Sequence, residues 1–322
     1  MRIGLLSTAK INDAILAGAA ASDRVDVVAV ASRDASRAQA YADAKGIARA
    51  HGGYDALLAD DAVDAVYISL PNGLHHEWTL RALAAGKHVL CEKPYSRRPH
   101  EVEEAFDAAD AAALVLMEAF MYRHHPQLAH VRELLGHGAI GRLRAVHGTF
   151  SFHVEDPDNP RLVAELDGGV LMDAGCYPVS GVRMLAGEPM DVSGEAVVGP
   201  TGVDLSFHGL LRCADDVVGT VEASFLGPWR QRLEAVGERG VLTLESPFST
   251  KASCVVRVRA DGEETVREIA FADAYRLELE NLADAIDGTA PALLGRADAL
   301  GQARALDALL RAAAERRVVQ LP

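Results

Sequence analysis

The stretch Arg2-Ile3-Gly4-Leu5-Leu6-Ser7-Thr8-Ala9-Lys10-Ile11 opens the chain with a short apolar run that breaks off into small and polar residues, and an alanine-rich segment, 12–22, follows it. That order reads as a buried strand turning directly into a helix. The same pattern then recurs. Val25-Asp26-Val27-Val28-Ala29-Val30-Ala31 gives a second strand, and a helix over 34–45 follows with Asp34 as its N-cap. Asp64-Ala65-Val66-Tyr67-Ile68-Ser69-Leu70 gives a third, before a helix from about 74 to 85 that stops at Gly86. Strand-like residues 87–91, a helix over 98–111 and a strand over 113–117 complete the series. The strands are continuous apolar runs, as a parallel sheet covered by helices on both faces requires. Residues 1–121 are therefore expected to form a doubly wound parallel sheet of the Rossmann type.

After residue 122 the texture changes. A helical segment, 126–136, precedes longer alternating strands at 142–154, 203–213, 216–226, 230–237, 240–245 and 252–259. Short turns such as Ala214-Asp215 and Asp261-Gly262 join neighbours, which reads as a mostly antiparallel sheet. Helices are expected at 275–287 and 296–316. The fold class is thus α/β: the Rossmann domain, 1–121, plus a C-terminal α+β domain, 122–322, with a large open sheet and terminal helices able to pack back on the first domain. A length of 322 residues suits two cores better than one.

Composition removes several function classes. A net charge of −14 repels nucleic acid, and no basic stripe offsets it. No apolar run reaches the length of a membrane helix, and Met1–Leu6 does not read as a secretory signal, so a cytoplasmic protein is expected. Cys91, Cys176, Cys213 and Cys254 are far apart and are expected as buried thiols. The adjacent pairs His75-His76 and His124-His125 point about 100° apart on a helix and suit no shared metal, so no metal site is expected. A nucleophile elbow is absent from the sequence, which leaves hydrolase chemistry without support. Trp229, on a hairpin, suits packing between subunits better than stacking on a sugar.

Chemistry concentrates where strands end. A dinucleotide turn needs small residues for a sharp bend and a close approach to pyrophosphate. Gly4 and Ala9 fit that need, and Ser7 stands where the middle glycine is usual; Thr8, Lys10 and Ile11 complete the turn. The same residues also suit a tight strand–helix turn with no ligand. At the second strand end, Ser32 and Arg33 stand with Arg37 one turn on, where many NAD sites have an acid for the ribose 2′-hydroxyl. Arginine there holds a 2′-phosphate, which favours NADP over NAD, although Asp34 follows at once. Ser69, Leu70, Pro71, Asn72 and His75 lie after the third strand, at the edge facing the ligand crevice. Glu92-Lys93-Pro94 follows the fourth strand there, with Lys93 able to orient a hydroxyl. In a helix beginning near 170, Asp173 and Tyr177 stand four apart and share a face. Tyr177 can then take a hydroxyl proton, provided a cation such as Lys93 lowers its pKa from about 10. A buried tyrosine beside a helix-capping aspartate fits that spacing equally.

Three separated blocks add a resemblance. Glu92-Lys93-Pro94, the segment Glu118-Ala119-Phe120-Met121-Tyr122-Arg123-His124-His125-Pro126-Gln127, and Gly168-Gly169 through Asp173-Ala174-Gly175-Cys176-Tyr177 resemble, in that order, the signatures of the glucose–fructose oxidoreductase / inositol dehydrogenase (Gfo/Idh/MocA) family, in its tyrosine branch. Gly237-Glu238-Arg239-Gly240 and Tyr275 through Asn281 extend the resemblance nearly end to end. It implies NADP(H), a sugar or polyol substrate, Lys93 and Tyr177 as catalytic pair, and Asp173 positioning the substrate. It also implies that Glu92, Arg123, Arg161 and Tyr275 join the cofactor set, and a homodimer or homotetramer through the second sheet. The alternatives are a dehydrogenase of a cyclic dihydrodiol and an NADP(H)-binding sensor without turnover.

Overall fold

Along the chain, β1 (Arg2–Leu6) leads to α1 (Asn12–Ala20), β2 (Asp26–Ala31) to α2 (Ala35–Lys45), β3 (Arg49–His51) to α3 (Tyr54–Leu58), β4 (Ala65–Ile68) to α4 (His75–Ala84), and β5 (His88–Glu92) to α5 (Pro99–Ala111), before β6 (Leu116–Ala119). These six strands are all parallel, in the order β3-β2-β1-β4-β5-β6. Ile3, Leu5, Val66, Ile68, Val89 and Leu90 expose no surface, because helices cover both faces. The last strand begins three residues later than the sequence suggests. Ala113 adopts a φ of 54° and Leu114 N–H donates to Ala109 O, so these residues finish α5 instead of starting β6.

The computed structural model describes residues 1–249 and 252–322. The elements that follow are α6 (Pro126–Gly136), β7 (Leu143–Ser151), α7 (Cys176–Ala186), β8 (Pro189–Val198), β9 (Asp204–Cys213), β10 (Val218–Ser224), β11 (Arg230–Gly237), β12 (Gly240–Leu244), β13 (Cys254–Ala260), β14 (Glu263–Ile269), α8 (Ala274–Asp287), α9 (Arg296–Glu315) and β15 (Val319–Gln320). Nine strands join in the order β14-β13-β12-β11-β7-β10-β9-β8-β15, antiparallel except for the pair β7 and β10. Two compact units result: residues 1–124 with 273–300, and residues 125–272 with 301–322. In the first, α8 packs on α1. None of the helices among the described residues is long and apolar enough to cross a membrane.

In the second unit α7 lies against the inner strands of its sheet. Gly148 of β7 makes this possible, since a Cβ there would sit 2.6 Å from Pro178 Cβ and 3.0 Å from Pro178 Cα. The expected helix over 170–180 has a different beginning. Leu171–Gly175 form a π-helical turn, and the α-helix starts only at Cys176. Overpacking at Gly148 is therefore expected to be costly. Gly148→Val should lose about 1–3 kcal/mol in urea unfolding, or fail to fold; wild-type stability would mean that α7 is not seated on β7.

Candidate active site

In the first unit the sheet order reverses between β1 and β4, which opens a crevice at the strands' carboxyl ends. Gly4 does not belong to the turn there. It lies inside β1, where a Cβ would meet Leu57 Cδ2 at 2.8 Å and Val63 Cγ1 at 3.2 Å, so its size serves packing. This corrects its placement as the first glycine of a phosphate turn. The turn itself begins at Ser7, whose φ is 150°, and Ala9 and Asn12 follow at glycine-fingerprint spacing, which puts Ser7 in the first place of the fingerprint and not in the middle one expected. Thr8, Ala9 and Ile11 are half-buried and Lys10 is exposed.

At the end of β2, Asp34 caps α2. Its Oδ1 accepts from Ser36 N at 2.8 Å, Arg37 N at 3.2 Å and Ser36 Oγ at 2.6 Å. The Ser36 hydroxyl first, then the Arg37 amide, hold its carboxyl below the ordinary range. The acid that seemed able to take a ribose hydroxyl is thus committed to the helix. Ser32 is buried and accepts the Asp34 N–H, while Arg33 and Arg37 are exposed.

After β4, Ser69 and Leu70 are buried, and Pro71 and Asn72 half-buried. His75 has no exposed surface: its Nε2 lies 2.8 Å from Leu70 O and its Nδ1 3.0 Å from Pro94 O. The imidazole therefore lies between the segment after β4 and the one after β5, and in its neutral form its single N–H donates to one of the two carbonyls. Burial above all, with the Lys93 charge, pushes its pKa down, against the pull of the two carbonyls.

Glu92 and Lys93 are both half-buried at the end of β5. Glu92 accepts the Tyr67 hydroxyl on Oε1, and its Oε2 accepts the Lys93 N–H at 3.2 Å. Two α8 residues share this neighbourhood. Burial, then the charge of Glu92, raises the pKa of the Tyr275 phenol. Glu278 is 1% exposed, and neither carboxyl oxygen has a hydrogen-bond partner among the described residues. Burial, then Glu92, pushes its pKa well above the ordinary 4.5. Sequence reasoning passed over Glu278, which sits in an ordinary amphipathic pattern, and Tyr67, which sits in an apolar strand. Arg123 Nη1 pairs with Asp298 at 3.3 Å in the same unit, and His124 beside it is pushed down to about 4 by burial and then by Arg123.

In the second unit Arg161 Nε donates to Asp173 Oδ2 at 2.7 Å, bringing together two residues singled out in the sequence. Tyr177, on the first turn of α7, has its ring 5.4 Å from Phe150 and 5.6 Å from Phe248. Trp229 lies edge-on to Phe150 at 5.5 Å, so it joins the aromatic set around Tyr177 while remaining 61% exposed. All four cysteines are buried and unbridged. Among the described residues no group of three or more His, Cys, Asp or Glu side chains is arranged to hold a metal.

Comparison with known proteins fits this geometry. Residues 1–120 match the profile of an oxidoreductase family with an NAD-binding Rossmann fold, and residues 128–243 match that of the GFO/IDH/MocA C-terminal domain. The chain is 36% identical to D-xylose 1-dehydrogenase (NADP(+)) 2 of Haloferax volcanii over the whole of both chains. It belongs to the Gfo/Idh/MocA family of oxidoreductases. Within that family it is also 31% identical to trans-1,2-dihydrobenzene-1,2-diol dehydrogenase of Xenopus tropicalis over 79% of this chain and 78% of the other. A 3-ketoreductase of Actinomadura kijaniata, solved with NADP and TDP-benzene, superposes with a TM-score of 0.92 at 30% identity, covering 97% of each chain.

The buried acid in this Gfo/Idh/MocA protein has a measurable signature. Its carboxyl ionises less readily in the folded chain than in the unfolded one. The stability it contributes is full below the ordinary value of 4.5 and is lost as pH rises toward the raised folded value. Glu278→Gln should therefore raise Tm over wild type more at pH 8 than at pH 5. An equal difference at the two pH values would show that Glu278 titrates normally.

Proposed function

We propose that this protein is an NADP(H)-dependent oxidoreductase that interconverts a hydroxyl and a carbonyl on a sugar or polyol, with Lys93 and Tyr177 as its acid–base pair. The observation that carries the reading is the separation of those two residues. The Actinomadura ketoreductase has been solved with a lysine replaced and with a tyrosine replaced, at positions as far apart along its chain as Lys93 and Tyr177 are here. The Haloferax relative, similar over its full length, is a D-xylose dehydrogenase that uses NADP.

The residues of the first unit suit a dinucleotide with a 2′-phosphate. The crevice at β1 and β4 begins with the turn Ser7 through Ile11, small at Ser7, Thr8 and Ala9, and the Ser69–Asn72 segment borders it. Because the Asp34 carboxylate is spent as a helix cap, Ser32, Arg33 and Arg37 are left to hold the phosphate. Glu92, Arg123, Arg161, Tyr275 and His75 complete the proposed cofactor set, His75 by holding the Lys93-Pro94 segment. Bound NADP(H) supplies or accepts the hydride.

The chain's own groups handle the proton. In oxidation the substrate hydroxyl gives its proton to the Tyr177 phenolate oxygen, and in reduction the phenol returns it. A phenol ionises near pH 10 in water, so the Lys93 ammonium is needed to favour the phenolate. Asp173, oriented by Arg161, accepts a hydrogen bond from a neighbouring substrate hydroxyl. One observation favours a second substrate class: Phe150, Phe152, Phe248 and Trp229 cluster with Tyr177, which suits a flat apolar ring such as a cyclic dihydrodiol. A cytoplasmic homodimer or homotetramer is proposed with this reading. The exposed Val197 and Leu210 on the second sheet are suited to a second copy.

Lys93→Met and Tyr177→Phe should each lower kcat about 10²-fold or more, without loss of NADPH binding by fluorescence titration. Turnover within a few-fold of wild type in both would reject the pair. A panel of aldoses, ketoses, inositols and a trans-dihydrodiol decides the substrate class. Arg33→Ala should cut the preference for NADP over NAD by about 10–100-fold in kcat/KM, the worth of a charge-assisted bond; an unchanged preference would place the 2′-phosphate elsewhere.

A further inference from the structure

Ser7, Asn12 and Ser69 close a hydrogen-bonded ring at the point where the first sheet reverses its order. Ser7 Oγ lies 2.7 Å from Ser69 Oγ and 3.0 Å from Ser69 O. Ser69 Oγ donates to Asn12 Oδ1 at 2.7 Å, and Asn12 Nδ2 donates back to Ser7 O at 2.8 Å. Ala9 N–H donates to Ser7 Oγ at 3.1 Å. The protons are accounted for: Ser69 gives its hydroxyl proton to Asn12, so the Ser7 hydroxyl gives its own to Ser69 and accepts from Ala9. Asn12, Ser69 and Ser7 are 0%, 7% and 9% exposed.

Position and conformation give the ring its meaning. Ser7, Ala9 and Asn12 occupy the three places of a G-x-G-x-x-G turn, and none is glycine. Ser7 nevertheless holds a φ of 150°, a region that favours glycine. A residue with a Cβ stays there only when its surroundings over-determine it. The ring is that surrounding. It spans from the turn after β1 to the segment after β4, across the place where pyrophosphate lies in such folds.

We propose that Ser7, Asn12 and Ser69 are positioning residues for the cofactor pyrophosphate, fixing by side-chain hydrogen bonds a turn that glycines otherwise make. The proposal rests on the reading of this crevice as an NADP(H) site. The three polar groups are spent on one another, so they act by holding the turn's backbone and not by touching phosphate.

The test is NADPH fluorescence titration of the full-length protein with kinetics on its sugar substrate. Asn12→Ala and Ser69→Ala should each weaken NADPH binding about tenfold and raise the cofactor KM to match, as expected for breaking a buried network. The kcat at saturating cofactor and the sugar KM should stay within about twofold. Ser69→Thr, which keeps the hydroxyl, should lose less NADPH affinity than Ser69→Ala. The proposal is overturned if Asn12→Ala and Ser69→Ala bind NADPH as tightly as wild type. It is equally overturned if kcat and sugar KM deteriorate in step with binding, since the ring would then only support the fold. If one alanine variant does not fold, the other and Ser69→Thr decide. A wild-type protein that binds no NADPH would overturn the cofactor reading itself, a result the variants cannot mimic.

Discussion

The crevice of the first unit depends on how its strand ends are held side by side. Parallel strands deliver their carboxyl ends to one edge, and the loops leaving that edge are normally the most mobile part of such a fold. Here each neighbouring pair from β1 to β6 carries a polar link. Ser7 meets Ser69 between β1 and β4. His75 sits against both Leu70 and Pro94, and Tyr67 joins Glu92, between β4 and β5. Tyr95 N–H donates to Glu118 Oε1 at 2.7 Å between β5 and β6. A buried hydrogen bond adds only about 1 kcal/mol net, but leaving one partner unmatched costs more. A row of such links therefore works chiefly by penalising every other arrangement of the loops, a selectivity that the role proposed for Lys93 requires.

The same row sets the electrostatics behind Lys93. Glu92 accepts from the Tyr67 hydroxyl and from the Lys93 amide. Glu278 lacks such partners among the described residues, and two carboxylates in one buried neighbourhood do not both ionise readily.

Much of this was legible in the sequence because burial leaves a pattern there. Strands covered on both faces appear as apolar runs, and Asp34 before a helix announces its cap. The second sheet was read less completely. β14 is exposed along nearly its whole length and β8 spaces its buried and exposed residues irregularly, so neither carries a period of two. β3 and α3 are too short for any period to show. At the site, residue types were visible but partnerships were not. Gly4 and Ser7 are both small residues near a strand end, and only coordinates reveal that one faces Leu57 and the other turns the chain. Glu278 looks like any polar position on a helix until Glu92, far away in sequence, is found beside it.

The glycine pair ahead of α7 shows the same limit from the other side. Gly168-Gly169 reads as part of a catalytic block, yet what it does in the second unit is mechanical. A Cβ on Gly169 would fall 2.0 Å from Asp204 Oδ1, and its φ of 110° is one a side chain would resist. Asp204 is thereby free to accept the Leu171 N–H at 2.7 Å, at the start of the helical segment where a carboxylate is favoured. Gly169 N–H also donates to Arg161 O at 2.8 Å, which brings the arginine's own loop alongside. From there Arg161 reaches Asp173 on the π turn. Residues four apart come nearly back over one another on so wide a turn, so Asp173 and Tyr177 stay on one face even though the regular helix begins only at Cys176. The near end of the block is thus structural, and it positions the two residues proposed to act at the far end.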